Sequence, residues 1–137
     1  MSYRPLPHAA DTGIEATADT LAGLIEQLGL GMFALMAPLP SAAAHRHLEF
    51  TVESGSLPDL VVDILSALLY QAEVEGLIIC DLAVDLDEAK LGAGLRAGGV
   101  EAEEVELSGP PIKAVTYHQL AVEKTPAGWY GRVFFDV

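Results

Sequence analysis

A chain of 137 residues has the size of one domain, 1–137, and at this length it buries about two-thirds of its unfolded surface in a single core. Hydrophobic residues make up 51% and charged residues 20%, a composition too apolar for a disordered chain. The formal charge of -13 would repel a phosphate backbone, so direct nucleic-acid binding is not expected.

The first residues, Met1-Ser-Tyr-Arg-Pro5, lack a basic stretch followed by an apolar one and do not read as a signal peptide. Gly13 to Ala18 follow the turn-like Asp11-Thr12-Gly13 and read as a strand. Asp19 or Thr20 then caps a helix over Leu21–Met36, where Leu21, Leu24, Ile25, Leu28, Met32 and Leu35 recur at helical spacing. Pro38 ends it, while Gly29 and Gly31 lower its intrinsic stability. Glu26 and Gln27 break the longest apolar run, so no membrane span is expected.

Ser41 to His45 read as a loop, and His47 to Glu53 alternate Leu48, Phe50 and Val52 inward as a half-buried strand. Ser56-Leu-Pro58-Asp59 opens a second helix, whose apolar stripe from Leu60 to Ala72 runs down to Glu75-Gly76. Leu77–Leu86 and Leu91–Ala97 read as paired strands, and the acidic tract Gly98–Pro111 as a connector. Ala114–Lys124 and Trp129–Val137 are two β-rich runs joined by Thr125-Pro-Ala-Gly128 as a hairpin. The expected fold is α+β, a single-domain sandwich of two helices packed on a largely antiparallel sheet of about six strands.

The chain contains no Cys-x-x-Cys pair, phosphate loop, dinucleotide fingerprint or nucleophile elbow. Its single cysteine, Cys80, allows no internal disulfide, fits a reducing compartment and reads as a core thiol, and the cytoplasm is the expected location. His8-Ala-Ala-Asp11 sets an imidazole and a carboxylate ahead of a strand, where Asp11 is either a ligand or, more commonly, the side chain of an Asx-turn. Asp136-Val137 crowds hard oxygen donors of the kind Ca²⁺, Mg²⁺ or Mn²⁺ prefers, although such endings are often merely hydrated. In Lys113-Ala-Val-Thr-Tyr-His118, alternation puts Lys113, Val115 and Tyr117 on one strand face without assigning them a role.

Together these segments resemble the archease family over almost the whole chain. The resemblance rests on His8-Ala-Ala-Asp-Thr-Gly-Ile14, the helix Leu60-Val-Val-Asp63-Ile-Leu-Ser-Ala-Leu-Leu-Tyr70, Lys113 to His118, and a terminal strand ending in Asp136 and one apolar residue. It implies a non-catalytic accessory protein of the RtcB-type RNA ligase in tRNA splicing, promoting guanylylation and multiple turnover of that enzyme through a divalent-metal site. It also implies that Asp11 and Asp136 are metal ligands, that Val137 adds a main-chain or terminal oxygen, and that Lys113 is needed for ligase activation. Ala9 stands where the family usually has Thr, and Ala67 where it commonly has Glu. The alternatives are a general chaperone or metal-stabilised interaction module and, as an enzyme, a metal-dependent phosphohydrolase using Asp11 and Asp136.

Overall fold

The computed structural model describes residues 1–6, 12–38 and 44–137. Among them are two helices and eight strands in the order β1 (Ser2–Leu6), β2 (Thr12–Ala18), α1 (Leu21–Met36), β3 (Arg46–Glu53), α2 (Leu57–Glu75), β4 (Leu77–Asp87), β5 (Gly92–Glu101), β6 (Ala114–Val115), β7 (Ala121–Thr125) and β8 (Gly128–Asp136). The α+β fold class is borne out, with the strands divided between two antiparallel sheets. One is ordered β1-β2-β8, with β6 and β7 along the far edge of β8, and the other β3-β5-β4. Each helix packs against strands of both sheets, and one continuous hydrophobic cluster fills the space among them.

Local chemistry sets the helix limits. Thr20 accepts the Gly23 N–H at the start of α1, and Ser56 accepts the Asp59 N–H at the start of α2. At its far end α2 stops on Gly76 in the left-handed region, φ 67°, whose N–H reaches back to the last helical turn. The glycines that weaken α1 have a packing reason. A Cβ on Gly29 would stand 2.7 Å from Leu82, and one on Gly31 3.0 Å from Tyr3, so the bare backbone brings β4 and β1 close on two sides of the helix.

Four details depart from the sequence-based expectation. The chain opens with a strand, β1, placed on the edge of its sheet, where Pro5 removes no obligatory ladder donor. β5 continues through Gly98 and Gly99 to Glu101, and a 3-10 turn at Ala102–Glu104 follows, so the connector is shorter than its composition suggests. The run Ala114–Lys124 is two strands rather than one, because the chain turns away after Val115 and passes through Gln119 at φ 49°. Cys80, expected in the core, is only half-buried and falls at the register shift between Ile79 and Asp81; burial, followed by the neighbouring Asp81 charge, raises its pKa.

Candidate functional site

β8 carries its inward side chains, Val133 and Phe135, at 0% exposure, and this anchors the strand up to its last turn. Burial then ends abruptly, and Asp136 and Val137 are exposed. The strand is held from both sides at this point. β2 registers Thr12 against Phe135, and β6 registers Ala114 against Asp136 and Val115 against Phe135. The Lys113 N–H donates to the Asp136 carbonyl at 2.8 Å, so two of the four site residues expected from the sequence are joined through the backbone. Lys113 and Asp136 are both exposed, which leaves their charged groups open to solvent.

His8, Ala9 and Asp11 lie outside the described residues, whereas Thr12, the next residue after Asp11, is the first residue of β2. Among the described residues no group of three or more His, Cys, Asp or Glu side chains is gathered closely enough to hold a metal ion. The donor chemistry at the end of β8 nevertheless suits a hard cation. Asp136 offers an exposed carboxylate, and Val137 adds main-chain oxygen beside it. Asp136 has already given one carbonyl lone pair to Lys113, so its side chain is the better donor.

The segment after β6 is built around Phe134. Thr116 donates both its N–H and its hydroxyl to the Phe134 carbonyl, each at 3.0 Å, and the Thr116 hydroxyl oxygen accepts the His118 N–H at 3.3 Å. The His118 ring meets the Phe134 ring edge-on, with centroids 5.7 Å apart. Phe134 in turn covers Gly13, where a Cβ would lie 2.6 Å from its ring. His118 and Gly13 are thus parts of the support for the strand end.

Tyr117 does not share a strand face with Lys113, because β6 has ended by then. Its hydroxyl instead donates to Asp59 Oδ1 at 2.6 Å, which ties this segment to the first turn of α2. That hydrogen bond stabilises the neutral phenol, and with burial and the Asp59 and Asp63 charges it pushes the Tyr117 pKa up to about 12. Asp59 and Thr116 are therefore supporting residues that motif reasoning did not single out. Asp59 was visible only as a helix-start acid, and no local signal links it to a tyrosine so far along the chain.

Residues 3–137 match the model of the Archease protein family (MTH1598/TM1083). Protein archease of Methanosarcina barkeri is 32% identical, covering 98% of this chain and 95% of the relative. Protein archease of Thermococcus gammatolerans is also 32% identical, covering 95% and 94%. Among solved structures, protein 1598 of Methanobacterium thermoautotrophicum superposes with a TM-score of 0.83 at 24% identity, covering 99% of both chains. A Thermotoga maritima protein described as "an archease, possible chaperone" superposes with a TM-score of 0.62 at 17% identity, covering 98% of this chain and 96% of that one. Both structural likenesses concern the fold.

Proposed function

Because the chain belongs to the archease family, we propose that it is a non-catalytic accessory protein that activates an RtcB-type RNA ligase in tRNA splicing. In this reading Asp11, Asp136 and Val137 hold a divalent cation, Ca²⁺, Mg²⁺ or Mn²⁺, and Lys113 stands at its rim. The ion supplies positive charge to phosphate oxygens during guanylylation of the ligase. The chain's own part is to present it on an exposed strand end that a partner can approach.

The observation that carries this reading is the convergence on the end of β8. Lys113 is hydrogen-bonded to Asp136 there, and β2 enters the ladder at Thr12, one peptide bond from Asp11. With donors from only three residues in this reading, water or the partner would complete the shell and the ion would exchange readily. The acidic surface favours a basic partner face and disfavours direct contact with RNA.

The test is guanylylation of an RtcB-type ligase with and without this protein. Asp136→Ala should lower the stimulation about tenfold or more, by analogy with the loss of affinity at weakened metal sites, and titration calorimetry should show weaker Ca²⁺ or Mn²⁺ uptake. Equal stimulation by wild type and variant would sink the proposal. A general-chaperone reading, which rests on the description of the Thermotoga maritima relative, predicts instead that aggregation of many unfolded clients is suppressed whether or not Asp136 is present.

A further inference from the structure

The C-terminal ends of α1 and α2 and the connector 105–112 line a pocket of about 280 Å³. Its walls include Phe33, Met36, Leu69, Leu77, Leu107 and Ile112, and the only charged residue in its lining among the described residues is Glu73. The connector is pinned, since the Ser108 and Gly109 N–H groups donate to the Met36 carbonyl at 2.9 and 3.4 Å, and the 3-10 turn before it is tied to the end of α2 by the Ala102 N–H, which donates to the Gly76 carbonyl at 2.8 Å. The cavity is therefore formed by hydrogen-bonded backbone before anything enters it.

Two further observations indicate what it receives. Leu107, part of the wall, is 56% exposed, so the apolar lining reaches solvent. Acidic side chains predominate around the pocket. Glu73, Glu103, Glu104 and Glu106 are exposed on the helix and the connector, whereas the nearby Glu75 and Glu101 are already engaged by Arg46.

We propose that this pocket is a docking site for a basic segment of a partner protein, which seats one large apolar side chain among Met36, Leu77 and Ile112 while its lysines or arginines face the glutamate rim. A second copy of the chain is a poor occupant, because each carries a charge of -13 and would set one acidic rim against another acidic surface. Nucleic acid is disfavoured for the same reason. The proposal is independent of the cation reading, as Lys113, Asp136 and Val137 are not part of the pocket lining.

The test is methyl-detected NMR of the whole chain titrated with a short synthetic peptide carrying one tryptophan among lysines. Controls are the same peptide with glycine for tryptophan and with glutamates for lysines. The expected result is saturable shifts at Met36, Leu77, Ile78 and Leu107 with the first peptide alone, weakening as salt is raised. Leu107→Asp and the triple change Glu103→Lys, Glu104→Lys, Glu106→Lys should each weaken binding about tenfold, and both alter exposed positions that the fold does not need. Absence of saturable binding, equal binding of either control peptide, or shifts that map elsewhere would overturn the proposal. So would contacts between the pocket methyls and residues 39–43 in the free protein, because the chain would then fill its own pocket.

Discussion

Glu15, on β2, is held from the strands on both sides. Arg4 on β1 pairs with its carboxylate, Tyr130 on β8 donates to it at 2.8 Å, and Arg132 lies opposite it in register. The Tyr130 hydrogen bond is the main reason its pKa lies below the ordinary value of 4.5, with Arg4 adding to the effect. A carboxyl whose folded pKa is depressed stabilises the fold above its unfolded value, and that contribution is lost as pH falls through the folded value. Tyr130→Phe should therefore raise the Glu15 midpoint observed by NMR, cost about 1 kcal/mol at neutral pH, and make the loss of stability below pH 4.5 shallower. An unchanged Glu15 midpoint would show that Arg4 alone sets it. Such partnerships were invisible in the sequence, where Glu15 was one polar residue in a strand. The same limit explains Tyr117: alternation pointed it toward Lys113, but its partner is Asp59, in another element.

Element boundaries were readable where the determinants are local. Thr20, Ser56 and Gly76 all lie next to the turns they cap, so both helices were placed within a few residues. β1 was not readable, since Ser2-Tyr-Arg-Pro-Leu6 has no two-residue apolar alternation and becomes a strand only by pairing with β2. The break between β6 and β7 was hidden for a related reason. Residues 114–124 are β-rich throughout, and what separates the strands is the turn after Thr116, where the Leu120 N–H donates to the Tyr117 carbonyl and Gln119 takes φ 49°. Gly76→Ala tests the clearest of the local signals. No atom lies within 4 Å of the added Cβ, so the cost should come from φ alone, about 1 kcal/mol in chemical denaturation. At Gly55 the surroundings are equally open but φ is not positive, and Gly55→Ala should be neutral or slightly stabilising. Equal effects at the two positions would remove the left-handed cap from the account of how α2 ends.

For the molecule as a whole, composition and the order of elements were enough to give an α+β sandwich, but not its division into two sheets. Sheet membership depends on which distant strands meet, and residues 77–101 carry no mark separating them from 12–18 or 128–136. The site was legible as chemistry at Asp136 and Val137, and as geometry only once β6 and β2 were seen on either side of β8. That arrangement also bears on how the chain folds. β3, α2, β4 and β5 follow one another and complete a sheet without leaving residues 46–101. The other sheet must close a loop across nearly the entire chain before Thr12 finds Phe135, and such closure is entropically expensive and slow. The three-stranded sheet should therefore form the folding nucleus. In stopped-flow kinetics Leu95→Ala should slow folding, whereas Val133→Ala should chiefly speed unfolding, and the opposite pattern would refute this order. If it holds, the end of β8 is among the last parts of the molecule to be assembled and the first to be released, so a partner that grips it would also act as the clasp of the fold.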